Sequence, residues 1–204
     1  KKKINLVYVD DVIDNFIQII NKNLYKSKIF QKVTPVKNIS LKNLFITISN
    51  IEKSRNKYFI NDLKDPFEKK LYSTFISFLP KNKFTYSLIA KKDKRGTFIE
   101  FLKNENIGQI STFIAKKNVT RGRHFHHTKV EKFLVVKGSA KFNLRNMATN
   151  ESVEFRLSHK NPKVVESIPG WTHYIKNIGK DDLIVLLWSN EVFNVKKPDT
   201  IYHE

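Results

Sequence analysis

The sequence predicts an α+β chain, with a mostly helical segment over residues 1–80 followed by an all-β, double-sheet barrel over residues 84–204. Three observations lead there. Apolar residues before Pro80 recur at helical spacing behind capping residues. Beyond Pro80, short apolar runs alternate with Gly, Pro, Asn and Asp turn signals at even spacing, the pattern of a sandwich or barrel. The 204 residues are 40% apolar and include sixteen Phe, enough for a real core.

Taken in order, Ile4 to Tyr8 reads as a short strand. Asp10 and Asp11 are placed to cap the next segment, where Val12, Ile13, Phe16, Ile17, Ile19 and Ile20 share one helix face. Asn21 to Lys32 is polar and turn-like. Ser40 caps a second helix that carries Leu41, Leu44, Phe45 and Ile48. Asp65 and Pro66 open a third, with Phe67, Leu71, Phe75 and Phe78, which stops at Pro80. After that come turn signals at Asp93 to Gly96, Gly108, Gly122, Gly138, Asn161-Pro162, Pro169-Gly170 and Gly179. Between them lie strand-like runs, among them residues 132–136, 153–157 and 183–188.

The formal charge is +19, which by itself suggests a polyanionic partner. Only six of the 38 basic residues are Arg, however, and the Lys residues are scattered. Together with abundant Asn, Ile and Phe, this is the usage of an AT-rich coding sequence, so nucleic acid is not an expected partner. There is no Cys, so a metal site must draw on His and carboxylates. The longest strictly apolar run, Leu183 to Trp188, is too short to span a membrane. A cytoplasmic protein is expected. The chain starts at Lys1 without Met and reads as a piece of something longer.

The chemistry concentrates in Gly122-Arg-His124-Phe-His126-His127-Thr-Lys-Val-Glu131. On a strand, residues two apart share a face, so His124 and His126 can aim together into a barrel. Glu131 follows on the next strand. His173 lies about forty residues on, in Pro169-Gly-Trp-Thr-His173-Tyr-Ile-Lys-Asn177. Three imidazoles and one carboxylate suit a divalent Zn, Fe, Mn, Ni or Co ion and leave an open position; zinc is the first choice. His127 is expected to point away from the lumen.

These segments resemble the two motifs of cupins, the double-stranded β-helix or jelly-roll barrels. His124-x-His126-x4-Glu131-x6-Gly138 fits the first, although Gly122 stands too close to His124. The second fits with one residue fewer between Pro169 and Gly170. Further segments are similar to the CapF family of capsular polysaccharide synthesis enzymes: Phe67 to Pro80, Asp93 to Glu100, Gly108 to Ser111, His126 to Val136, Trp188 to Glu191 and Lys197 to Thr200. That family joins a short-chain dehydrogenase/reductase domain to a C-terminal metal cupin. Tyr8-Val-Asp-Asp-Val12 resembles a late segment of such reductases. The resemblance therefore implies a C-terminal reductase remnant over residues 1–80 and a complete metal-binding cupin over residues 84–204.

The resemblance implies C3 epimerisation of a UDP-linked 4-keto-6-deoxy-N-acetylhexosamine, on the route to UDP-N-acetyl-L-fucosamine. The sequence has no glycine-rich dinucleotide loop and no Tyr followed four residues later by Lys, so neither NADP binding nor reduction is expected of it. A separate reductase domain is a possible partner, and a homodimer is expected. Arg95, Phe98 and Glu100 are the candidate substrate-binding residues, and Tyr174 and Lys132 the candidate proton-transfer residues. Asp93 to Phe98 and Arg121 to His124 also look like motifs of metal-free dTDP-4-keto-sugar epimerases, in which the histidine is a base. His126 and Glu131 complete a metal set here and favour a ligand role for His124. The rival functions are a non-catalytic sugar-nucleotide-binding or assembly cupin and an iron dioxygenase.

Overall fold

The computed structural model describes residues 2–22, 30 and 32–203, and the chain divides into two units. The first unit comprises Lys1–Asn56 with Asn61–Thr85, and the second Lys57–Ile60 with Tyr86–Glu204. No helix among the described residues is long and apolar enough to cross a membrane.

Local capping sets much of the first unit. β1 (Lys3–Leu6) pairs antiparallel with β2 (Lys37–Ser40), and the helices are α1 (Val9–Asn21), α2 (Leu41–Lys57) and α3 (Pro66–Ser77). The Ser40 hydroxyl accepts the Asn43 N–H at 3.1 Å, and Asp65 accepts that of Phe67 at 2.8 Å ahead of Pro66. Both caps are the expected ones. Asp10 and Asp11 do not cap α1. They lie inside its first turn, where acidic groups suit the helix dipole, and Asp11 takes an ion pair from Lys70 at 2.7 Å. The short β2 shows no alternation of its own and exists through its pairing with β1. The turn-like stretch after Asn21 falls largely on residues 23–29 and 31, outside the described residues.

The second unit holds two antiparallel sheets. One runs β10 (Val164–Glu166), β7 (Glu131–Lys137), β12 (Leu183–Ser189), β5 (Gly108–Ala115), β4 (Gly96–Asn104), β3 (Ala90–Asp93). The other runs β13 (Ile201–Tyr202), β6 (Thr120–Phe125), β11 (Trp171–Asn177), β8 (Ser139–Asn146), β9 (Ser152–Ser158). Burial alternates along β5, β8 and β12 because successive side chains take opposite faces. The inward residues form one core. Phe113, Phe133, Val135 and Leu187 come from the first sheet, and Phe142, Leu144 and Ile175 from the second. The Phe133 and Phe142 rings meet at 5.0 Å. The predicted strands at 132–136, 153–157 and 183–188 all lie within observed ones.

Candidate metal centre

The site begins with an irregularity in β6. Gly122 has φ 101° and Arg123 φ 62°, and the register against β11 shifts between His173 and Tyr174. This is a β-bulge. A Cβ on Gly122 would lie 2.6 Å from the His173 carbonyl oxygen, so only glycine fits there. The bulge resets the alternation. Arg121 and His124, three residues apart, both reach the inner cavity, whereas Thr120 and Arg123 line an outer groove. Gly122 stands one residue before His124 because the bulge needs it there.

Four side chains converge beside the core. His124 lies opposite His173 across the β6–β11 pair, His126 follows β6, and Glu131 opens β7 in the facing sheet. One ligand atom from each falls within 4.8 Å of all the others. Glu131 Oε2 stands 3.3 Å from Nε2 of both His126 and His173. His126 and His173 are only 1% and 2% exposed.

Their hydrogen bonding leaves lone pairs bare. His126 Nδ1 donates to the Asp199 carbonyl oxygen, which orients the ring and turns Nε2 toward Glu131. Both ring nitrogens of His173 are buried without a well-directed hydrogen bond. Burial, reinforced by neighbouring His173, pushes His124 down to about 3. Burial also pushes Glu131 up, but its contacts with His126 and His173 outweigh that and hold it below the usual carboxylate range. Buried polar atoms without partners are costly. A divalent cation would satisfy all four groups together, and the donor set suits one.

The cluster opens on a cavity of about 410 Å³. Phe98 and Phe113 supply apolar wall, and Lys91, Lys92, Arg95 and Arg121 supply positive charge. The Arg121 side chain is 12% exposed and its guanidinium lies 5.3 Å from the Phe113 ring centroid. Its Nε and Nη2 are buried and have no hydrogen-bond partner, and Asp93 is 3.8 Å away. Arg95 instead grips Asp93 with two nitrogens, at 3.0 and 2.6 Å, and thereby pulls that carboxyl down to about 2.

Of the sequence candidates, Arg95 and Phe98 line this cavity. Glu100 does not, because ion pairs with Lys91 and Lys103 hold it. Tyr174 and Lys132 are also absent from the cavity, for one physical reason. Each is the strand neighbour of a proposed ligand, His173 or Glu131, and so points to the opposite face. Tyr174 lines the outer groove with Arg123, and Lys132 pairs with Glu166 at 2.7 Å. His127 is exposed, as expected. Three further residues matter that the motifs did not single out for a role. They are Arg121, Asp199 and Ser167, whose hydroxyl accepts the Glu131 N–H at 2.7 Å. For Arg121 the available signal was its place beside a strand glycine; Ser167 gave none.

Comparison with known proteins places the chain among enzymes and proteins of polysaccharide biosynthesis. Residues 91–201 match the family described as polysaccharide biosynthesis C-terminal domain. The chain is 42% identical over 198 residues to UDP-2-acetamido-2,6-beta-L-arabino-hexul-4-ose reductase of Pseudomonas aeruginosa, covering 97% of this chain and 53% of that protein. It superposes on the crystal structure of the capsular polysaccharide assembling protein CapF of Staphylococcus aureus with TM-score 0.89 and 35% identity, covering 100% of this chain and 55% of that one. A structure of CapF with the inhibitor 3-isopropenyl-tropolone gives TM-score 0.88 at 35% identity, covering 100% of this chain and 59% of that one. The chain thus spans about half the length of these relatives. It belongs to the polysaccharide biosynthesis C-terminal domain family.

Proposed function

We propose that this family member epimerises C3 of a UDP-linked 4-keto-6-deoxy-N-acetylhexosamine, with a divalent cation, zinc first, held by His124, His126, Glu131 and His173. The observation that carries the reading is the buried cluster of three imidazoles and one carboxylate, opening on a cavity with unsatisfied Arg121 donors. The Pseudomonas relative is named for a UDP-linked acetamido sugar with a ketone at C4, which supports the substrate class. The tropolone inhibitor of CapF supports a metal, since tropolones present two adjacent oxygens that chelate divalent cations. On this reading the double sheet is a cupin jelly roll and residues 1–80 are the tail of a reductase domain. The 204 residues contain no dinucleotide-binding glycine loop, so reduction is assigned to no residue of this chain. The reading also expects a cytoplasmic homodimer.

Epimerisation at C3 requires removal of the proton beside the C4 ketone and its return on the opposite face. Negative charge develops on the ketone oxygen in between. When bound, the cation supplies Lewis-acid stabilisation of that charge. Arg121 offers its free donors to anionic oxygens of the substrate, Arg95 adds positive charge at the rim, and Phe98 gives the sugar an apolar wall. Tyr202 lines the cavity edge-on to His124, with ring centroids 5.9 Å apart. It takes the proton-transfer role in place of Tyr174 and Lys132.

The test is exchange in D2O. Metal-loaded protein given the keto sugar without NADPH should place deuterium at C3, chelation should stop the exchange, and added NADPH should yield no reduced sugar. Exchange no faster than in buffer would replace the epimerase with a sugar-nucleotide-binding module.

A further inference from the structure

The chain returns to the cluster about seventy residues after the first motif. β13 pairs with β6 beside Phe125 and His124. Just before it, Asp199 makes two sets of contacts. Its carbonyl oxygen accepts the Nδ1 proton of His126. Its carboxylate accepts the N–H of His127 on Oδ1 at 2.8 Å. Oδ2 accepts the N–H groups of Thr128 and Lys129 at 2.7 and 2.8 Å and the Thr128 hydroxyl at 3.0 Å. The adjacent Thr200 hydroxyl accepts from the buried Lys129 ammonium at 3.0 Å.

We propose that Asp199 is a positioning residue for the metal centre, one that shapes the turn between His126 and Glu131. The inference rests on the metal reading above. His126 follows a strand of one sheet and Glu131 opens a strand of the other, so the turn between them sets how the two donors face each other. Three successive N–H groups of that turn converge on one carboxylate, a concave anion site that an internal side chain fills. The same residue's carbonyl sets the His126 ring orientation. Such outer contacts to a ligating histidine tune metal affinity without touching the metal. No side-chain change deletes the carbonyl itself. The carboxylate acts by anchoring the segment that carries it.

The chemistry predicts a graded response. Asn at this position offers one accepting oxygen and turns an NH2 group toward donors, so it keeps part of the network; Ala keeps none. In the full chain, Zn²⁺ affinity measured by competition with a chromogenic chelator should fall about tenfold in Asp199→Asn and about a hundredfold in Asp199→Ala. The visible absorption of the Co²⁺-loaded protein should change, while circular dichroism of metal-free Asp199→Asn stays that of the parent. A role in folding alone would lower melting temperature and leave Zn²⁺ affinity and the Co²⁺ spectrum as in the parent. That result, or parental affinity in both variants, overturns the proposal. If Asp199→Ala does not fold, Asp199→Asn decides. If the parent itself binds Zn²⁺ no better than His173→Ala, the metal reading fails instead.

Discussion

The two units handle their apolar residues in opposite ways. The second collects thirteen buried hydrophobic residues into one core between its sheets. In the first, Ile51 is the only buried hydrophobic among the described residues, and α1 leaves Phe16 57% exposed with Ile13, Ile17 and Ile20 also exposed. A period-two pattern on two facing sheets buries its inner faces mutually. A helical face is covered only if another element lies on it. The difference teaches that stability and the proposed metal cluster reside together in the second unit, whose core rings lie against the four clustered side chains. Phe133 and Phe142 stand 5.7 and 5.9 Å from the His173 ring.

The sharpest way to break this comparison is a matched pair of truncations. Phe142→Ala, in a residue with no exposed surface, should cost about 3–5 kcal/mol. Phe16→Ala should change stability by no more than about 0.5 kcal/mol. Denaturant unfolding measures both, and equal losses would contradict a core confined to the second unit. Metal should act on the same unit. At about a hundred times its dissociation constant, bound Zn²⁺ should add about 2.7 kcal/mol to that transition, and His124→Ala or His173→Ala should abolish the gain. Calorimetry with and without chelator reads this directly.

pH sharpens the comparison next. His124 takes a proton near 6.5 in the unfolded chain but only near about 3 in the folded one. Between those values the unfolded chain binds more protons, so metal-free stability falls as pH drops from 6.5 toward 3. Glu131, held below its ordinary 4.5, adds a loss of the same sign below that value. Melting of metal-free His124→Gln should therefore depend less on pH across this window than melting of the parent. Smallest are the cavity-wall effects. Arg121→Met should raise KM for the keto sugar about tenfold, and Tyr202→Phe should lower kcat with KM little changed. Steady-state exchange kinetics separate the two.

What the sequence revealed depended on how local the cause was. Ser40 and Asp65 announce α2 and α3 because a cap acts within three residues. The cluster was legible because donor residue types recur at strand spacing, and His124, His126, Glu131 and His173 do converge. Gly122 appeared as a misfit to the motif because a bulge depends on the strand opposite, which the sequence does not name. Tyr174 and Lys132 were chosen for nearness in sequence to ligands, and adjacency on a strand sends them to the other face. Asp199 was visible only within a family likeness at Lys197 to Thr200. Its work depends on a contact about seventy residues away, and no local pattern marks that.

The central claim is that His124, His126, Glu131 and His173 share one divalent cation. Anomalous diffraction at the zinc edge, from crystals grown with Zn²⁺, tests it most directly. The account predicts one strong peak at the cluster, about 2.0–2.2 Å from three imidazole nitrogens and a Glu131 oxygen. A zinc-replete crystal with no peak there, or with its principal peak on other residues, would contradict it.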